Sequence, residues 1–240
     1  MIVLRALLFN ALFYAWTLAL VLWAIATTIG QPERFGRLVR LWTRSSLWLL
    51  ARICRLTHEL RGIERLPQRP FIIAAKHQSA WDILALLDSF PDAAFVLKQE
   101  LRRIPLFGLL TQRAGHIAVD RRAGAKALLL MVAAAREEAK RGRAILVFPQ
   151  GTRTMPGEAR PYQVGIAGLY AELGLPVVPV ALNSGLFWPR RRPIQKPGVI
   201  LVEILPLIAP GLEKRQFLAL LAETIETANA RLEAESIAQR

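Results

Sequence analysis

Residues 6–29 contain no ionisable side chain except Tyr14, and most are Leu, Ala, Val, Ile, Phe or Trp. A helix crosses the hydrocarbon layer in about 20 apolar residues, so this run is long enough to span. The apolar region of a cleaved signal peptide covers only ~7–15 residues. This run is longer and halts at Gln31-Pro32-Glu33-Arg34, which predicts an uncleaved anchor. Over 35–56 the pattern changes. Arg37, Arg40, Arg44, Arg52 and Arg55 alternate with Leu38, Leu41, Trp42, Leu47, Trp48, Leu49 and Ile53. The first three arginines are spaced by three and four and share one helix face. Tryptophan favours the headgroup region. The expectation is an interfacial amphipathic helix on anionic lipid.

Beyond residue 57 the pattern becomes globular. Short apolar runs at 71–75, 94–97, 117–119, 144–148, 177–181 and 199–204 read as buried strands. Helical stretches at 81–89, 106–113, 123–141 and 163–173 lie between them, and another at 212–232 follows. Such alternation predicts an α/β fold with a mixed, largely parallel central sheet flanked by helices. The hydrophobic and amphipathic helix pair precedes it. The expected division is 1–57, membrane-anchoring helices, and 58–240, a globular α/β domain. Residues 188–198, rich in Arg and Pro, read as an exposed loop.

Charge narrows the choice of partner. There are 32 Lys and Arg against 18 Asp and Glu, a net +14. Basic chains attract nucleic acid or anionic lipid. With 53% hydrophobic residues and a mean hydropathy of +0.31, the membrane is the partner expected here, and nucleic acid is not. Only Arg5 precedes the apolar run and many arginines follow it. If the run spans, the positive-inside tendency puts the globular domain on the cytoplasmic side, here expected at the inner membrane. The single cysteine, Cys54, rules out an intrachain disulfide and fits a reducing compartment.

Two constellations carry candidate chemistry. Lys76-His77-Gln78-Ser79-Ala80-Trp81-Asp82 directly follows the strand at 71–75, and strand ends are where α/β folds place function. Imidazole exchanges protons near neutral pH. A carboxylate five residues on can fold back to one ring nitrogen, fix the tautomer and leave the other nitrogen as a base. Alternatively, Asp82 simply caps the helix that follows. Val147-Phe148-Pro149-Gln150-Gly151-Thr152-Arg153 also follows a strand. Gly151 permits close backbone approach, and the planar guanidinium of Arg153 suits a phosphate. The plainer reading is a tight turn with a surface arginine.

Together, the His-x4-Asp and the Phe-Pro-x-Gly-Thr-Arg resemble the glycerolipid acyltransferase family, which includes the 1-acylglycerol-3-phosphate acyltransferases. The resemblance extends to Lys98-Gln99-Glu100-Leu101 with Ile104-Pro105 and Gly108, and to Val177-Val178-Pro179-Val180 before Asn183. It implies that His77 is the general base and Asp82 its orienting partner. It implies that Lys98, Gly151, Thr152 and Arg153 bind the acceptor, and that Val178 and Pro179 shape the site near the donor. The implied reaction moves a fatty acyl group from acyl-coenzyme A or acyl carrier protein to a lysophospholipid hydroxyl, with no further cofactor. The family usually has Glu where this chain has Gln150. That departure keeps other acceptors open, such as a lyso-ornithine lipid or a lysoglycerophospholipid. A non-catalytic lipid-binding protein would keep the basic helices but have no use for the ordered motifs.

Other residues suggest less. His58 and His116 read as structural or solvated, and Cys54 as a small apolar filler. Asp120-Arg121-Arg122 and Arg190-Arg191-Arg192 are candidates for phosphate contact or for plain solvation. No His/Cys cluster has metal-ligand spacing, and neither a Walker-type glycine loop nor a Gly-x-Ser-x-Gly elbow occurs.

Overall fold

The computed structural model describes residues 1–27, 32–103, 107–158 and 160–238. Helix α1 (Ile2–Thr27) has 26 residues, or roughly 39 Å at ~1.5 Å per residue. Helix α2 (Pro32–Leu49) returns antiparallel to it. The hairpin is held by two reciprocal indole bonds, Trp16 to Ser45 Oγ (2.7 Å) and Trp42 to Thr17 Oγ1 (2.9 Å). Leu4, Leu7, Leu8, Leu12, Leu18 and Leu22 remain exposed along α1. An apolar flank of that extent marks a membrane or partner surface. On α2 the exposed face carries Arg37, Arg40, Leu41, Arg44 and Trp48. Residues 28–31, the end of the predicted apolar run and its stop, lie outside the described residues.

The expected helix over 35–56 needs correction. It closes at Leu49, widens into a π turn at Leu50–Cys54, and ends on Arg55 in a left-handed conformation (φ 55°). The chain then enters strand β1 (Leu56–Arg61), which the hydrophobic pattern did not reveal. The reason is its position at the sheet edge. Leu56 is buried, but Thr57, His58 and Glu59 face out, so no apolar run marks the strand.

The remaining strands overlap the predicted ones. They are β2 (Ile72–Ala75), β3 (Ala94–Lys98), β4 (Ile117–Val119), β5 (Ile145–Val147), β6 (Val177–Leu182) and β7 (Gly198–Ile204). The helices between them are α3 (Trp81–Ser89), α4 (Phe107–Arg113), α5 (Gly124–Lys140) and α6 (Val164–Leu173). The last, α7 (Lys214–Ala238), starts later and runs further than the expected 212–232. Glu213 accepts the Arg215 and Gln216 amides and so caps its start. Its final turns are drawn onto the sheet by a two-pronged Arg61–Glu235 pair (2.9 and 2.8 Å).

The seven strands lie in the order β1-β7-β6-β2-β5-β3-β4. From β6 through β4 every neighbouring pair is parallel. β7 runs antiparallel to β6 and parallel to β1, so the sheet is mixed and largely parallel. Alternate residues divide its faces. Ile73, Leu146, Val178 and Val202 pack with α3 and the N-terminal helices, while Ile72, Ile145, Val177 and Leu201 pack with α5, α6 and α7. Phe9 of α1 is fully buried within the first of these cores and meets Trp188 edge-on (5.8 Å). Asn10 of α1 donates to the Pro193 carbonyl (2.8 Å), which ties α1 to the loop at 188–198.

At the start of β4, His116 Nδ1 accepts the Phe95 amide (3.2 Å), so this nitrogen is unprotonated. Burial, reinforced by Arg143, pushes the imidazole down to about 4. Between about 6.5 and that value the unfolded chain binds a proton that the folded chain does not. Stability is complete above the window and falls as the pH drops through it. Thermal melts in detergent should show a loss between pH 7 and pH 4.5 that shrinks in His116→Asn. An equal loss in both proteins would rule out this histidine as the cause.

Candidate active site

The C-terminal ends of β2, β3, β4 and β5 converge on one side of the sheet, where open α/β folds bind ligands. β2 delivers His77, whose Nδ1 lies 2.8 Å from Oδ2 of Asp82 in the first turn of α3. Asp82 is fully buried. Its Oδ2 also accepts the amides of Gln78 (2.8 Å) and Ser79 (2.9 Å), and its Oδ1 accepts the Ser184 hydroxyl (2.5 Å). With donors converging on both oxygens, the carboxylate acts as an acceptor only. A neutral imidazole donating from Nδ1 to this acceptor carries its lone pair on Nε2. The ring stacks on Phe148 (4.0 Å between centroids, 19° between planes), which restricts its rotation. The His77 side chain is 15% exposed, enough for a substrate atom to reach. The His77 carbonyl accepts the Thr154 amide (2.8 Å) and hydroxyl (3.2 Å), so the first motif is tied to the residue that follows the second.

His77 opens into a cleft of ≈ 350 Å³. Lys98, Arg121, Arg153, Arg190 and Arg191 line it, and among the described residues no carboxylate does. Such a wall attracts a polyanion. Arg121 donates to the Gly151 carbonyl (2.6 Å) and Arg190 to the Arg153 carbonyl (3.0 Å), so both shape the loop as well as charging it. Gly151 sits at φ 69°, and a Cβ there would lie 2.3 Å from an Arg121 nitrogen. Only glycine fits.

Residues 57–183 match the family model described as Acyltransferase. The chain is 35% identical over 182 residues to a 1-acyl-sn-glycerol-3-phosphate acyltransferase of Pseudomonas aeruginosa, covering 76% of this chain and 71% of that protein. The chain belongs to the acyltransferase family. A lyso-ornithine lipid O-acyltransferase of the same organism is 34% identical over 141 residues, covering 58% of this chain and 54% of that protein. The crystal structure of the 1-acyl-sn-glycerophosphate (LPA) acyltransferase PlsC from Thermotoga maritima matches with a TM-score of 0.77. It covers 98% of each chain at 23% identity, which shows a shared fold.

Within this acyltransferase the structure gathers His77, Lys98, Gly151, Thr152 and Arg153 around the cleft, with Asp82 behind His77. Leu101 also lines it; Ile104 and Pro105 lie outside the described residues. Val178 and Pro179 are buried in β6 beside β2 and are not among the lining residues. Asn183 bridges Leu201 to the end of α7. Gln150 is buried behind the cleft, with its Nε2 3.2 Å from Glu226. Cys54 is also buried, and desolvation pushes its thiol up to about 11, which suits a packing residue. Arg121 and Arg190, read from sequence as open between solvent and phosphate, are brought to the site. The pattern gave no hint of Ser184, which lies 102 positions from Asp82 and in no charged or apolar run.

Replacing Ser184 with Ala leaves Asp82 Oδ1 without that partner, a loss worth about 1–3 kcal/mol of stability. Turnover should fall roughly tenfold, as each ~1.4 kcal/mol of barrier is a factor of ten. An unchanged kcat would mean that His77 is oriented without this bond.

Proposed function

We propose that this acyltransferase transfers a fatty acyl group from a thioester to the free hydroxyl of 1-acylglycerol-3-phosphate, giving phosphatidic acid. The supporting observation is the cleft itself. It sets a carboxylate-oriented imidazole beside five cationic side chains, with no opposing carboxylate among the described lining residues. His77 Nε2 takes the hydroxyl proton as the oxygen attacks the thioester carbonyl. The new C–O bond forms, the C–S bond breaks, and the departing thiolate recovers the proton from the imidazolium. No residue is acylated, since the donor is already activated and both substrates are held together. Asp82 steadies the imidazolium. Lys98 and Arg153, helped by Gly151 and Thr152, hold the acceptor phosphate. Acyl-coenzyme A or acyl carrier protein serves as cosubstrate, without a separate cofactor.

A lyso-ornithine lipid is the alternative acceptor, in line with the second Pseudomonas relative. Its headgroup carries an amine as well as a carboxylate. A wall of cations favours the more strongly anionic phosphate. Residues 1–57 dock the chain on the membrane and residues 58–240 carry out the transfer. The body lies on the cytoplasmic face of the inner membrane, where the arginines of α2 meet anionic headgroups.

Three measurements test this reading. A panel of lysolipid acceptors with each donor type, read by mass spectrometry, should show lysophosphatidic acid as the preferred acceptor. Preference for lyso-ornithine lipid would move the assignment to that substrate. His77→Ala should lose transfer while remaining folded and membrane-bound, and near-normal activity would remove the base. Arg153→Ala should raise the acceptor KM, at ~1.5–3 kcal/mol for a charged hydrogen bond, or on the order of tenfold or more. An unchanged KM would take the phosphate away from Arg153.

A further inference from the structure

Directly before His77, the side chain of Lys76 turns inward and is only 2% exposed. A buried ammonium without a partner costs several kcal/mol. Its partner is Glu226 in the middle of α7, with Nζ at 2.8 and 2.6 Å from the two carboxylate oxygens. The same Oε1 accepts Gln150 Nε2 (3.2 Å) and the Tyr162 hydroxyl (2.8 Å). Burial, the Glu226 charge and this hydrogen bond hold the Tyr162 hydroxyl well above its ordinary range, so it stays a donor. One carboxylate thus collects the residue before His77, the residue before Gly151 and the approach to α6. Further along α7, Glu233 accepts Gln78 Nε2 (2.8 Å), next to His77 on its other side. Gln150 Oε1 is buried and has no hydrogen-bond partner among the described residues.

The charges around Lys76 explain the amide at 150. Lys76 needs one negative charge, and Glu226 supplies it. A second carboxylate at 150 would end about as close to Glu226 as the amide does, and like charges at that distance repel. A neutral side chain that donates to Glu226 is the group that fits.

We propose that Glu226 is a positioning residue for acyl transfer. It neutralises Lys76 and holds the turns carrying His77 and Gly151–Arg153 in register. It touches neither substrate and acts through Lys76 and Gln150. The negative charge is needed near Lys76, but its origin on α7 is not, so moving it to position 150 preserves the arrangement.

The proposal rests on the acyl-transfer reading, and three full-length proteins in mixed micelles test it: wild type, Glu226→Gln, and the double variant Gln150→Glu with Glu226→Gln. The single variant should lose kcat by roughly 10–100-fold, the scale of a small misplacement of reacting groups. Its acceptor KM should rise by a smaller factor than kcat falls, since Lys98 approaches the phosphate from β3 and has no bond to Lys76, Gln150 or Glu226 among the described residues. The double variant should recover at least about five-fold of the lost kcat and the lost melting temperature. Wild-type kcat in the single variant overturns the proposal, as does a double variant no faster than the single. Should Glu226→Gln fail to fold, the double variant decides alone. Folded and within about tenfold of wild type, it upholds the proposal; inactive or unfolded, it overturns it. Absence of transfer by the wild-type protein would instead sink the functional reading, and the melting temperatures would still report whether the charge can be moved.

Discussion

The buried carboxylate of Asp82 is the constraint around which this protein is arranged. An ionised carboxylate taken out of water costs several kcal/mol unless its lone pairs are filled. Here the imidazole, two consecutive backbone amides and a serine hydroxyl fill them. The amides require a tight turn between β2 and α3, and the hydroxyl requires the segment after β6 to lie alongside. A group that fixes the tautomer of His77 also fixes the relation of two strands and a helix. Folding and orientation of the base are one requirement.

The strands flanking that carboxylate were the readable part of the sequence. Strands β2, β5 and β6 are buried along their whole length, β4 and β7 over most of it and β3 at Ala94 and Phe95, so they appear as short apolar runs where helices cover the sheet. The edge strand β1 was hidden, since the outward positions Thr57, His58 and Glu59 give no apolar run. The amphipathic pattern also ran on past the true end of α2. The break there is a backbone event, a π turn closed by left-handed Arg55. Side-chain hydropathy does not report it.

The site divides along the same line. His77, Asp82, Gly151 and Arg153 were visible because each lies in a short local motif at a strand end. Ser184, Arg190 and Glu226 reach the site only through tertiary packing, from positions 102 or more residues beyond Asp82. The arginines at 121 and 190 could not be told from solvated surface by composition. What separates them is a main-chain carbonyl at hydrogen-bond distance, on Gly151 and Arg153 respectively. Gln150 looked like a weakened copy of an acidic position. In the folded chain it sits against a carboxylate that arrives from the last helix.

The seat of Phe9 bears on how this enzyme can be handled. A phenylalanine from the first helix fills one of the two cores beside Trp188, and its neighbour Asn10 grips the carbonyl of Pro193. Trimming the chain to a water-soluble fragment starting near residue 58 would pull a plug and not merely cut a tether. Trp188 would be left facing solvent, and the segment bearing Arg190 and Arg191 would lose its anchor point. For the same reason, a detergent that competes for the flank of α1 could soften the cleft while leaving the sheet intact.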